Sequence, residues 1–309
     1  MNRTNAIALA GLFAVFTVVV ALISATVPLI GIPLLAVIPV FSAVLCIKTD
    51  IRFALMSGVA ALLLLSFLTD PITAAFFLPG IVAGMATGFG IQKRFSPIRC
   101  VVISVAASLV TLAALFAAVS GLTDFNVSQL RPTLIQVFDE VLASPQFAPM
   151  LESDVSLRSN LIDYIDSMLA LLPSAIISSQ TFLGFIAFYL TTTIARRIGM
   201  PTGYPPFRDL IFPRHVSMTI AGMILVTMVL AQFQWISVEM SSNLQLIFLS
   251  PFIVAGCSVI SGLLYRKLPT VLITVLLGLA LLFFAYPLLM LGLIDTIFDF
   301  RKVRARYGQ

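Results

Sequence analysis

Uncharged apolar runs recur along nearly the whole chain, at about residues 6–30, 33–47, 53–68, 71–92, 100–122, 171–195, 216–234, 243–264 and 269–294. A helix needs roughly 20 such residues to cover about 30 Å of hydrocarbon. Backbone in lipid must satisfy its own hydrogen bonds, which only helices and closed barrels do. The runs lack period-two alternation, so they predict helices. Of 309 residues, 60% are hydrophobic and only 10% charged, with a mean hydropathy of +1.10. A soluble domain carries roughly a quarter charged residues, so this composition excludes one. The expectation is an all-α polytopic transmembrane bundle of eight or nine membrane segments in a bacterial plasma membrane. The first run is longer than a signal-peptide core and is read as an uncleaved span. The second and third runs are short, and Pro28, Pro33 and Pro39 make one of them a candidate for a tilted, broken or re-entrant segment.

Net charge is +5, but the bases lie between apolar runs, which argues topology and not nucleic acid. Lys48 and Arg52, then Lys93, Arg94 and Arg99, then Arg196, Arg197, Arg208 and Arg214, then Arg266 and Lys267 recur at alternate connections, and a cytoplasmic N-terminus puts all of them inside. Residues 123–170 hold seven acids against Arg131 and Arg158, as expected of an outer insert. Nine full spans would strand Arg301, Lys302, Arg304 and Arg306 outside. One segment is therefore expected to fail to span, with suspicion on the C-terminal third.

Three regions follow: an N-terminal bundle over 1–122, the insert over 123–170, and C-terminal helices with a basic tail over 171–309. In the insert, Val127, Leu130, Leu134, Val137, Phe138, Val141 and Leu142 share one helical face, as do Leu157, Leu161, Tyr164, Ile165, Met168 and Leu169. Pro145 and Pro149 separate them. Two amphipathic helices are expected on the outer membrane surface or capping the bundle, either as a solvated hairpin that merely connects spans five and six or as a gating or binding lid.

Gly80, Gly84 and Gly88 repeat every four residues, with Gly90 following, and form either a helix-packing face or the wall of a pocket. Ala6, Ala10 and Ala14 form a second small-residue face, read as internal packing or as a partner-docking surface. Asp70 before Pro71 reads as a helix start. The hydroxyls and amide of the sixth segment, Ser174, Ser178, Ser179, Gln180 and Thr181, then Thr191, Thr192 and Thr193, read as interhelical bonding or ligand contacts. The connection YPPFRDLIFPRH (Tyr204 to His215), with Arg208, Asp209 and Pro213, is too structured in composition for a flexible linker. The end LGLIDTIFDFRK (Leu291 to Lys302) sets Asp295 and Asp299 on one face beside Phe300 and Arg301. It suits an interface anchor, an internal partner for the basic loops, or a contact for another protein. The cysteines Cys46, Cys100 and Cys257 lie far apart and form no metal or disulfide pattern. With one histidine, His215, and no nucleotide-binding or hydrolase motif, the chain reads as no enzyme, with no cofactor and no metal.

The order of the glycine-rich segment ending in IQKR, the PPFRDLIFPRH loop and the terminal LGLIDTIFDFRK resembles the YybS-like family of bacterial membrane proteins, a domain of unknown function. Residues 5–122 more distantly resemble the substrate-binding subunits of energy-coupling factor transporters. That resemblance implies that Ala6, Ala10 and Ala14 dock a membrane coupling subunit and that the glycine helix packs at a substrate pocket. The same grouping resembles scaffold proteins of the MreD type. Two functions are therefore carried forward: a transport-related protein that binds a small molecule and relies on an energising partner, and a non-transport scaffold for envelope or signalling proteins. Lipid is the common partner, and nucleic acid is excluded.

Overall fold

The computed structural model describes residues 2–27, 31, 34–122, 127–144, 156–200, 202–303 and 306. The described helices are α1 (Arg3–Thr26), α2 (Ile38–Lys48), α3 (Ile51–Leu68), α4 (Pro71–Ala75), α5 (Leu78–Gln92), α6 (Pro97–Leu122), α7 (Leu130–Leu142), α8 (Leu157–Arg197), α9 (Arg214–Gln232), α10 (Val238–Leu264), α11 (Thr270–Phe283) and α12 (Ala285–Phe298). No strand occurs among the described residues. Seven of these helical units are long and apolar enough to cross a membrane: α1, α3, the α4–α5 unit, α6, α8, α9 and α10. The second run is indeed the short one, since α2 has only 11 residues, with Pro39 in its first turn, whereas α3 is 18 residues long. Pro28 and Pro33 lie outside the described residues.

Local chemistry sets the helix starts. Asp50 and Ser237 cap α3 and α10 through their side chains, and Asp70 accepts from the Ile72 and Thr73 N–H groups ahead of Pro71, as read from the sequence. These bonds to Thr73 hold the Asp70 carboxyl below its usual range.

Packing gives the direction of each pass. Ala10 sits with Ala54 and Ala21 with Leu65, so α1 and α3 run alike. Ser104 donates to the Ala83 carbonyl and Ser108 to Gln180, so α6 opposes α5 and α8. Ser178 on α8 bonds the Leu246 carbonyl of α10, while Ser241 of α10 bonds the Thr227 carbonyl of α9. The seven long units alternate in direction except at the parallel α1 and α3, between which the short α2 turns the chain back. The connections at 48–51, 92–97, 197–214 and 264–270 therefore share one end with the N-terminus. Among the described residues every Lys and Arg except Arg131 and Arg158 lies at that basic end.

The ninth apolar run is where the extra segment disappears. It breaks at Phe284 (φ −130°, ψ 35°) into α11 and α12, 14 residues each. Each rises about 21 Å, short of the ~30 Å of hydrocarbon. α12 lies parallel to the second half of α10, with Gly256 against Leu288, Gly292 against Phe252, and Arg301 reaching Ser258. The break thus sits near the midpoint of α10. α11 and α12 form a re-entrant hairpin that returns the chain to the basic end, so the tail residues Arg301, Lys302 and Arg306 join the other bases there. Arg304 lies outside the described residues.

Glycine sets the closest crossings. A Cβ on Gly84 would fall on the Pro39 carbonyl, one on Gly88 on the Ala43 backbone and Cys46, and one on Gly90 would stand 3.0 Å from the Cys100 sulfur. Gly80 has ordinary room. Gly256 and Gly292 meet each other's backbone in the same way. With lipid as apolar as leucine, such backbone approach, and not hydrophobic exclusion, holds the helices together.

The two amphipathic helices of the insert pair with each other, as in the hairpin reading of the sequence, and the second is not a separate helix. Residues 157–169 continue without a break into the sixth span, making α8 41 residues long, about 61 Å. The boundary drawn at residue 170 falls inside this helix. α7 lies antiparallel to its outer part through Arg131–Asp166 and Arg158–Asp139, each a two-bond pair. Leu142 and Ile165 are buried between them. Helix propagation is cooperative and favours one long helix over two short ones. Pro145 and Pro149 lie outside the described residues.

Two outcomes test this architecture. Gly256→Leu overpacks against backbone and is expected to cost at least the ~1–3 kcal/mol of core overpacking, whereas Gly11→Leu, with no heavy atom near the added side chain, leaves thermal unfolding in detergent unchanged. Single cysteines at Thr4→Cys and Lys302→Cys are expected to react with an impermeant thiol reagent from one side of sealed vesicles, and Gln136→Cys from the other.

Candidate functional site

Most of the motif residues converge at the basic end. After α8 the chain turns through Gly199 (φ 78°) and Gly203 (φ 69°), passes Pro205 and Pro206, makes one 3-10 turn at Phe207–Asp209 and then runs extended to Pro213 at the start of α9. This connection is plugged into the bundle. Tyr204 packs edge-on to Phe188, Phe207 to Tyr189, and Phe212 to both Phe185 and Phe252. Leu210, Ile211 and Phe212 are buried. The Tyr204 hydroxyl donates to the Phe95 carbonyl at 2.7 Å, and burial pushes its pKa up.

An extended segment so enclosed leaves carbonyls with no helical partner, and Arg301 answers them. One guanidinium donates to the Arg208 carbonyl, to the Leu210 carbonyl (3.0 Å), to the Ser258 hydroxyl (3.2 Å) and through two nitrogens to Asp295 Oδ2 (2.6 and 2.9 Å). Ser258 in turn donates to the Leu210 carbonyl. Arg301 is 8% and Asp295 1% exposed. Guanidinium suits this task because its five donors are fixed in one plane. Asp295 Oδ1 has no partner among the described residues.

The surrounding residues aim Arg301. Asp299 takes the left-handed conformation (φ 47°) that ends α12, and its carboxylate accepts from the Val303 N–H, folding the tail back over the helix end. Asp209 pairs with Arg306 at 3.6 Å. Arg208 lies over the Tyr265 ring, 3.5 Å from its centroid, and this guanidinium holds the phenol below its usual value. Phe300 is half exposed. The terminal motif is therefore an internal latch; an interface anchor would leave Asp295 in the headgroups.

The other predicted surfaces lie apart from the latch and are occupied. Ala6, Ala10 and Ala14 are each less than 5% exposed. They face the chain's own helices, Ala10 beside Leu45 and Ala54 and Ala14 beside Ala61, so this face does not offer itself to a separate subunit. The glycine face is closed by α2. Of the polar residues of the sixth span, Gln180 accepts from Ser108 and Ser178 donates to the Leu246 carbonyl of α10; Ser179, Thr181 and Thr192 donate to carbonyls of their own helix, and the buried Thr191 Oγ1 has no partner among the described residues.

Asn243, Ser258 and Gly256 escaped the sequence reading. Pro173 interrupts the α8 ladder, and the Asn243 amide splices it, accepting from the Ser174 N–H at 3.1 Å and donating to the Ala170 carbonyl at 2.7 Å. A proline inside a polar-flecked span was the available signal. Chemically, the latch is a closed charge pair. Among the described residues no group of acids, histidines or cysteines has the arrangement to hold a metal.

Breaking a buried pair leaves an uncompensated charge, at a cost of roughly 3–5 kcal/mol. Arg301→Ala and Asp295→Ala are each expected to lower thermal stability on that scale, and Arg301→Lys to rescue only part, because an ammonium cannot reach both carbonyls and the carboxylate together. Equal stability of Arg301→Ala and the parent protein in detergent would refute the latch.

No curated protein and no solved structure matches the chain. A family model does, described as Predicted membrane protein (DUF2232), over residues 15–296. That match takes in most of the first apolar run, all of the later ones, the Tyr204 to His215 connection and the terminal motif as far as Thr296, and the chain belongs to this family of predicted membrane proteins.

Proposed function

We propose that the protein is a membrane scaffold that carries a rigid helical hairpin on one side of a bacterial plasma membrane and offers it to an envelope or signalling protein. The observation that supports this reading is the unbroken α8: the membrane-crossing part and the extra-membrane part are one 41-residue helix. α7 is fastened along it by two Arg–Asp pairs whose carboxylates are held below their usual range by the facing guanidinium. Val137, Val141, Tyr164 and Met168 are about half exposed on this hairpin and form its apolar contact surface. The charge bias supports a cytoplasmic basic end, hence a cytoplasmic N-terminus and an outward hairpin. The rival reading, a small-molecule carrier energised by a coupling subunit, leans on the glycine and alanine faces and on the hydroxyls of the sixth span. The glycine and alanine faces are packed within the bundle, and most of the hydroxyls bond helix carbonyls.

The test is co-purification from native membranes in mild detergent, comparing the parent protein with Val141→Asp/Met168→Asp. An envelope or signalling protein recovered in stoichiometric amount with the parent, and at least tenfold less with the variant at equal yield, is the expected result. Recovery of an ATP-hydrolysing pair with a transmembrane subunit, or of one stoichiometric metabolite, by both proteins alike would overturn the scaffold and establish the carrier.

A further inference from the structure

We propose that the turn after α8 binds the phosphate of an anionic phospholipid. A recess there is lined by Arg196, Gly199, Thr202, Gly203 and Tyr204. Its floor is nearly bare backbone: Gly199 and Gly203 hold left-handed conformations, and nothing lies within 4 Å of where either Cβ would be. The Thr202 Oγ1 is buried with no hydrogen-bond partner among the described residues. An orphaned hydroxyl away from water costs free energy unless a ligand or water meets it.

Arg196 lines the same recess. Among the described residues it spends its Nε on the Thr192 carbonyl at 3.2 Å, which leaves its terminal nitrogens for a ligand. No Asp or Glu lines the recess. The Arg196 guanidinium, the Thr202 hydroxyl and the open space over Gly199 and Gly203 match a phosphodiester, whose oxygens accept bidentate Arg bonds. The position decides between lipid and free phosphate. The recess lies where α8 leaves the apolar run at the basic end of the bundle, at headgroup depth, and basic pockets between helices at that depth take anionic headgroups. The other bases at this end, such as Arg52 and Arg99, sit on plain helix starts; the orphan hydroxyl and the bare floor set this turn apart.

The test is native mass spectrometry of the full chain released from nanodiscs containing phosphatidylcholine and phosphatidylglycerol. Retention of phosphatidylglycerol over phosphatidylcholine is expected. Arg196→Gln should lower it about fivefold, the factor that one basic residue contributes at a membrane surface. Thr202→Val, which keeps shape and removes the donor, should lower it by a smaller factor, and Arg52→Gln should leave it unchanged. Should Arg196→Gln misfold, Thr202→Val alone decides, with its thermal unfolding matched to the parent. Equal retention of the two lipids, equal loss with Arg52→Gln, or displacement of the lipid by excess inorganic phosphate would each overturn the proposal.

Discussion

A peptide group that leaves the helical ladder inside a bilayer has no water to turn to, and several such departures in this protein are met by a side chain from a distant element. Arg301 serves the carbonyls of the enclosed connection, 93 residues away in the case of Arg208. Asn243 splices α8 at Pro173 from 69 and 73 residues away. Gln92 donates to the Cys46 carbonyl at the end of α2, and Tyr204 to the Phe95 carbonyl. These long-range donors, with the glycine crossings between them, bind the passes into one body. Lipid offers no hydrophobic gain for joining helices, so backbone satisfaction and close approach must supply the specificity.

The same constraint explains how the basic end is organised. Because Arg301 is consumed internally, the charge at the end of α12 serves the protein's interior, while Arg196 and its neighbours remain turned outward. One residue type thus has two roles a few residues from the same membrane face, distinguished by burial.

Legibility in the sequence followed the physics. Apolar run length and base spacing revealed the passes, and the stranded tail charges pointed to a C-terminal segment that does not cross. The four-residue glycine spacing pointed to close packing, which Gly84 and Gly88 display. What stayed hidden depended on partners far apart in the chain. Nothing local distinguishes Ser258 from any other serine in a span, or says that Gly256 and Gly292, on different helices, face one another. For Asp295 the sequence offered internal pairing beside an interfacial place and a partner contact, and only the buried Arg301 decides among them. The insert misled for a different reason, since amphipathic periodicity reports that a helix has an apolar face and not what covers it.

The latch also imposes an order on synthesis. At roughly 5–20 residues per second, Arg301 leaves the ribosome about 5–20 s after Arg208. Through that interval the enclosed connection has aromatic anchors but lacks its guanidinium, so its carbonyls must remain near water or translocation machinery. Final burial of the connection waits for the last helix to swing back along α10. The nascent chain therefore passes through a half-closed state in which the N-terminal passes are assembled and the basic end is still open.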